Sequence, residues 1–274
     1  MVRDSASIGG QTLTPDSSTP QLPPILCYHK VEARHELGVT RIGPRRFARQ
    51  IERLARGGWR TITLAEVIAC ARGERAVGAR ELGITFDDAY RGLREHAFPV
   101  LAAHGFCATC FVITDYAGRL NRWDVAYGGR RFGHLAWRDI ERWAARGVEF
   151  ASHTATHARL TWLGDAAVRA EFARSRAALE NALGAPCDSV SYPFGAANVR
   201  ERALAREAGY TTGFTLVRAW RGDALAIPRT PVYAWSPPTP VVGWLAPLER
   251  VGAAGANGCA VGTTLLQRAA SATA

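Results

Sequence analysis

Residues 83–90 read GITFDDAY, and the reading of the fold turns on them. A short apolar run rich in strand formers ends abruptly on two adjacent acids, Asp87 and Asp88. Side chains alternate along a strand, so two neighbours at its end are expected to point different ways. Two like charges at the end of a buried strand repel, and the pair calls for a compensating positive charge nearby.

Working outward, strand and helix patterns alternate from residue 25 onward. ILCYHKV (25–31) is an apolar run ending in polar residues. PRRFARQIERLARGG places Phe47, Ile51 and Leu54 at helical spacing, with Pro44 at its start and a glycine pair at its stop. TITLAEVIACARG reads as a short strand or turn followed by a helix. ELGITF is the next strand, AYRGLREHAFPVLAAHG a helix, and CATCFVI a strand. Residues 115–136, rich in Gly, Arg and aromatics, read as an irregular insertion over one end. The helix AWRDIERWAARG leads into the strand VEFASH, and a long Ala/Arg helix spans about 164–183. Strand SVSY, helix VRERALAREAG, strand TTGFTL and the extended IPRTPVYAW complete the series.

Apolar strands separated by helices imply a parallel sheet covered by helices. About seven strand–helix units predict an α/β fold, a distorted (β/α) barrel in a single domain over residues 24–250. Residues 1–23 read as a disordered Ser/Thr/Pro leader with no apolar stretch of a secretory signal, which gives a cytoplasmic expectation. Residues 251–274 read as a flexible Ala/Gly-rich tail.

The chain has 274 residues, enough for one large core, and its 47% hydrophobic and 21% charged residues are ordinary for a globular enzyme. No apolar run reaches the ~18 residues of a membrane span. The formal charge is +10, carried almost wholly by arginine, Lys30 being the only lysine. No dense basic cluster or nucleic-acid motif accompanies that charge, so no nucleic-acid partner is expected. Neither GxGxxG nor GxxxxGK[ST] occurs, so a nucleotide-phosphate cradle has no support. Six cysteines are scattered in mostly apolar contexts and read as reduced and buried. Cys107 and Cys110 form a CxxC, but on a strand they face opposite sides and no second CxxC completes a zinc site.

Barrel active sites lie at the C-terminal ends of the strands. The residues expected there are His29 after ILCY, Asp87 and Asp88 after GITF, and His153 with His157 in SHTATH. Tyr192, Pro193, Phe194 and Gly195 follow SVS, and Arg229 sits on the last strand. His-x3-His alone is a weak signal, even though on a helix it puts two imidazoles on one face. Two imidazoles with one carboxylate, however, make a three-ligand metal site with a position left for water. A divalent cation there offsets the acid pair, and one aspartate can bind it while its neighbour acts as general base.

TFDDAY, SHTATH and SYPFG, in this order, resemble the three leading motifs of the polysaccharide deacetylases, the NodB-homology group or carbohydrate esterase family 4. The resemblance covers roughly residues 24–235. It implies metal-dependent removal of acetyl groups from an N-acetylhexosamine-containing glycan or glycan precursor. It also implies Asp87 as general base and Asp88, His153 and His157 as ligands of a divalent metal. Zinc is expected first, with Co2+, Ni2+, Fe2+ or Mn2+ as alternatives. SYPFG would line the substrate groove, with the Tyr192 backbone N–H on the oxyanion.

Two departures from the family pattern shape the rest. Many members carry an arginine where this chain has Ser191, and Arg229 in IPRTPV is the expected replacement, set beside Asp87. The family's late Leu-x-His acid is absent, no histidine following His157. His29 is therefore expected as the general acid, and its YH element resembles an exopolysaccharide-deacetylase subgroup. The same centre also suits other amides or esters, and the missing late histidine leaves a catalytically silent glycan-binding barrel as an alternative. His35, His96, His104 and His134 read as loop or helix-surface residues without a role. Trp123, Trp137, Trp162 and Trp235 are aromatic faces that suit either a sugar ring or the core.

Overall fold

In the computed structural model the central strands Ile25–Tyr28, Glu81–Phe86, Thr109–Val112 and Ser189–Ser191 are buried along their whole length, and helices with apolar stripes cover the sheet. The structure describes residues 21–35, 39–123, 130–216 and 220–236. The expected tail, the domain limit at 250 and nearly all of the expected leader lie outside these residues. In chain order the elements are β1 (Ile25–Tyr28), β2 (Lys30–Val31), β3 (Arg41–Ile42), α1 (Pro44–Arg56), β4 (Arg60–Thr61) and α2 (Leu64–Ala71). They continue with β5 (Glu81–Phe86), α3 (Leu93–His96), α4 (Phe98–Ala103), β6 (Thr109–Val112), α5 (Trp137–Ala144) and β7 (Glu149–Ser152). The last are α6 (Asp165–Leu183), β8 (Ser189–Ser191), α7 (Val199–Glu207), β9 (Thr212–Leu216) and β10 (Ile227–Pro231).

Strands β1, β5, β6, β7, β8, β9 and β10 pair in that order, all parallel. The ring closes where β10 meets β1, with Leu26 opposite Thr230 and Cys27 opposite Pro231. The result is a single-domain distorted barrel of seven strands wrapped by helices. β4 extends the sheet beside the first residues of β5, and β2 with β3 forms a separate parallel pair.

Local chemistry explains the element ends. α1 starts on Pro44, whose missing N–H costs nothing at a helix start, and buries Phe47, Gln50, Ile51 and Leu54 along one stripe. α2 opens with a capping box, Thr63 and Glu66 each bonding the other's backbone N–H. α6 ends on Gly184 in the left-handed conformation.

One expectation changes. AYRGLREHAFPVLAAHG is not one helix: its first residues turn away from β5, and Pro99, which cannot donate the next helical bond, separates α3 from α4. The sequence reading assigns no element to residues 154–157. They form a loop after β7 in which Thr154 and His157 adopt left-handed backbone, each with φ 63°.

Beneath the mouth of the barrel, Phe86 packs with Tyr28, Phe47 and Phe98 at ring separations of 5.6–5.9 Å. Burying each such side chain is worth about 1.5–3 kcal/mol. This cluster fixes the end of β5, and so the position at which the two acids begin.

Candidate active site

Asp87 prolongs β5, its N–H donating to the Tyr28 carbonyl at 2.9 Å. The next residue breaks the strand. Asp88 is left-handed at φ 70° and Ala89 at 52°, conformations that Asp tolerates and that cost Ala of order 1 kcal/mol or more. The alternation expected of a strand is therefore cancelled, and both carboxylates turn into one mouth. Asp87 Oδ2 lies 4.0 Å and Asp88 Oδ1 3.3 Å from the same atom, His153 Nε2.

The two acids have different partners. Arg229, from β10 and fully buried, forks onto Asp87 with Nη1 to Oδ1 at 2.7 Å and Nη2 to Oδ2 at 2.8 Å. Its Nη2 also donates to Ser191 Oγ at 2.7 Å, and Ser191 Oγ lies 3.3 Å from Asp87 Oδ2. Ser191 thus helps seat an arginine that comes from another strand. The Cys27 thiol adds a contact to Asp87 Oδ2 at 3.4 Å. Burial alone would raise the Asp87 pKa, but Arg229 and His153 outweigh it and hold the carboxyl well below the usual range.

Asp88 Oδ1 is buried and accepts no hydrogen bond. It faces His153 Nε2 at 3.3 Å and His157 Nε2 at 3.4 Å. Desolvation pushes its pKa up, yet both histidines and His29 bring it down to about 2. His153 Nδ1 lies 2.8 Å from the Ser191 carbonyl, which can only accept, so Nδ1 carries a proton and Nε2 is the ring atom turned to Asp88. Burial drives the His157 pKa down to about 3, leaving a neutral imidazole. For His153 the two acids overcome burial, and its pKa rises.

These residues fit a divalent ion. One donor atom from each of Asp88, His153 and His157 lies within 4.8 Å of the others. A tetrahedral ion bound at about 2.0–2.2 Å sets its donors about 3.3–3.6 Å apart, which the two carboxylate–imidazole distances match. An orphaned carboxylate oxygen facing two such nitrogens is a donor set lacking only a cation.

His29 follows β1 on the same rim, and one of its nitrogens lies within 4.8 Å of both the Asp87 carboxylate and Cys27 Sγ. Its Nδ1 is buried without a hydrogen-bond partner. Burial lowers its pKa from 6.5, against the opposing pull of Asp88 and Asp87.

The SYPFG segment divides. Tyr192 is a correction: its side chain is wholly buried against Phe172, and its N–H is spent on the Phe214 carbonyl at 3.1 Å. It therefore neither lines the groove nor has an amide to offer an oxyanion. Pro193 is buried as well. Phe194, left-handed at φ 61°, turns its partly exposed ring to within 4.8 Å of the His157 ring. Gly195, φ 63°, is required where it stands, because a Cβ there would sit 2.6 Å from the Leu216 nitrogen.

Sequence reasoning missed His134. It is buried, not superficial, and its Nδ1 lies 2.6 Å from the Asp88 carbonyl. Its Nε2 accepts from Trp123 Nε1 at 3.3 Å, and the Trp123 ring lies 3.8 Å from that of His157. The insertion after β6 thus braces two of the candidate metal ligands at once. Only its richness in aromatics hinted at this.

The cysteines match their reading: Cys27, Cys70, Cys110 and Cys187 are buried and free, and Cys107 is free and partly buried against Thr61. Cys259 lies outside the described residues. No helix among the described residues is long and apolar enough to cross a membrane.

Fold and site together define an α/β-barrel enzyme with a carboxylate–imidazole cluster at its C-terminal mouth. Residues 74–213, about half of the chain, match the polysaccharide deacetylase family, and the chain belongs to that family of deacetylase hydrolases. YxkH of Bacillus subtilis (strain 168), assigned by name to the polysaccharide deacetylases, is 28% identical over 192 residues. The match covers 70% of this chain but 63% of YxkH, so the chain spans less than two thirds of that relative. The Streptococcus pyogenes deacetylase PplD in complex with acetate superposes with a TM-score of 0.71 at 21% identity, over 82% of this chain and 98% of that one, a likeness of fold. IcaB from Ammonifex degensii gives 0.67 at 27% identity, over 76% and 91%. His29 and Arg229 fall outside the matched residues 74–213. Barrel closure between β1 and β10 is what brings them to the site.

Proposed function

We propose that the protein hydrolyses the acetamide of N-acetylhexosamine residues in a glycan or glycan precursor, with a divalent ion, zinc in the first place, held by Asp88, His153 and His157. The observation that carries this reading is the unlike treatment of the two acids. Asp87 is locked onto Arg229, whereas Asp88 turns a bare oxygen to two imidazoles. Bound there, the ion would supply Lewis acidity, acidifying water and polarising the acetamide carbonyl.

Asp87 acts as general base. Arg229 and Ser191 keep it ionised and fix its plane, and its Oδ2 borders the ligand cluster, where it takes the proton of the attacking water. A carboxylate held this far down yields the proton again readily. His29, within 4.8 Å of that carboxylate, carries a proton to the amine nitrogen as the C–N bond breaks and acetate forms. Its lowered pKa makes neutral imidazole the resting form and imidazolium a strong donor. Phe194 and Trp123, both packed against His157, present ring surface beside the cluster.

The test is acetate and free-amine release from a panel of N-acetylated oligosaccharides. Release that stops on chelation and returns with Zn2+ is expected. No acetate from any N-acetylated amino sugar at full metal occupancy removes the substrate assignment. Parallel O-acetyl esters and small amides distinguish a broader hydrolase.

A further inference from the structure

Beside the metal-ligand cluster lies a cavity of about 640 Å³, lined by Asp115, Tyr116, Arg119, Leu120, Arg122, Arg131 and Thr156. Its size falls within the range of small-molecule sites. Thr156 lines the cavity and immediately precedes His157, so one loop after β7 borders both cavity and cluster. Glu171 pins that loop, accepting from Thr156 N and Thr156 Oγ1, both at 2.8 Å.

The charge of the cavity is one-sided. Three lining residues are arginines, all exposed, and the one lining acid, Asp115, is already paired with Arg174. Glu171 does not line the cavity, and its carboxylate is engaged by Thr156 N and Oγ1. Among the described residues neither Arg119 nor Arg122 has a carboxylate partner, and Arg131 donates only to the Asn121 carbonyl, at 2.9 Å. Tyr116 lines the cavity with all three arginines; its phenol pKa is raised by burial and by Asp115, against the opposing pull of Arg122, Arg119 and Arg131. Planar guanidinium forks suit carboxylate and phosphate, and a recess lined by one sign of charge concentrates the opposite ion. A neutral sugar gives such a cavity nothing to neutralise.

We propose that this cavity is an anion-accepting subsite, and that the acetylated glycan carries a carboxylate or phosphate within one or two sugar rings of the acetamide that is cleaved. The inference rests on the deacetylase reading for the neighbouring centre, and its test separates the two.

Three oligosaccharides of equal length serve as probes: an N-acetylglucosamine homo-oligomer, one alternating with uronic acid, and one carrying a phosphomonoester. kcat/KM for each is measured at about 0.01 M and about 1 M salt, between which the screening length falls from about 30 Å to about 3 Å. Three exposed charge contacts predict a preference of roughly tenfold for an anionic oligomer at low salt, nearly lost at high salt. The Arg119→Gln/Arg122→Gln/Arg131→Gln variant loses the preference. Arg119→Gln/Arg122→Gln, which breaks no intramolecular bond among the described residues, reduces it. A preference for the uronate or for the phosphate supports the subsite and names its anion. Equal use of all three, or a preference that survives the triple variant, overturns it and leaves the deacetylase reading standing. Calorimetric binding of the same oligomers to the Asp87→Asn protein needs no turnover. Arginine-dependent, salt-sensitive binding there, with no acetate released by the parent protein, would keep the subsite and remove the deacetylase.

Discussion

Replacing Arg229 with methionine keeps much of the side chain's volume and removes its charge. The guanidinium makes two bonds to Asp87 at 2.7 and 2.8 Å, one to Ser191 at 2.7 Å and one to Thr85 at 3.2 Å, in a place where it has 0% and Asp87 3% side-chain exposure. Water can repair none of these losses, so the variant leaves a buried carboxylate unpaired, at a cost of about 3–5 kcal/mol. That raises the unfolding equilibrium constant by about two to four orders of magnitude. If the urea m-value is near 3 kcal/mol/M, the midpoint falls by about 1–1.7 M. Urea unfolding of the metal-free protein measures it, followed by circular dichroism. The double variant Asp87→Asn/Arg229→Met removes both charges and should recover most of the loss.

The sign with pH provides a second check. In the parent, Asp87 has a folded pKa below its unfolded value near 3.8, so it contributes stability above that pH and loses it as pH falls through the folded pKa. Without Arg229, burial pushes the folded pKa up instead. The penalty is then full at neutral pH and shrinks as Asp87 takes up a proton in acid. A loss below about 1 kcal/mol at pH 7, or one that grows toward acid, refutes the argument.

Other outcomes follow from the same geometry. His29→Ala should slow acetamide hydrolysis by about 10²–10⁴-fold yet spare an activated aryl acetate, whose leaving group needs no proton; equal losses on both would remove His29 as the acid. His134→Leu should weaken zinc binding about 10–100-fold in chelator competition, with His134→Asn restoring part of it through its amide donor to Asp88, because that bond and Trp123 orient two of the ligands. Gly195→Ala should cost more than about 1 kcal/mol in urea, since its φ is left-handed and its Cβ would meet the Leu216 backbone. Glu81, drawn down to about 2 chiefly by its bonds to Arg75 against the pull of burial, should lend stability that disappears as pH falls from about 4.5 to about 2, and Glu81→Gln should flatten that part of the acid limb.

Much of the fold was legible because burial writes itself into local periodicity. β5, covered on both faces, is an unbroken run, and α1 shows its stripe at Phe47, Ile51 and Leu54. The convergence of Asp87, Asp88, His153 and His157 was legible because strand ends share one rim of a barrel. Arg229 beside Asp87 was anticipated from the family resemblance, as the replacement for an arginine absent at Ser191. What escaped depends on contacts distant in sequence. No local pattern reveals that Asp88 turns left-handed, that the Tyr192 amide is consumed by a ladder bond to β9, or that His134 folds back beneath Asp88. The break between α3 and α4 was available in Pro99, which lacks the donor that a continuous helix needs there.

The central claim is that Asp88 holds the metal and Asp87 does not. Titrating zinc into Asp87→Asn and Asp88→Asn, alongside acetate release from an N-acetylglucosamine oligomer, tests it most directly. The account predicts that Asp88→Asn loses tight binding and turnover together, whereas Asp87→Asn binds zinc nearly as the parent does and releases almost no acetate. Tight zinc binding by Asp88→Asn, or its loss in Asp87→Asn, would contradict it.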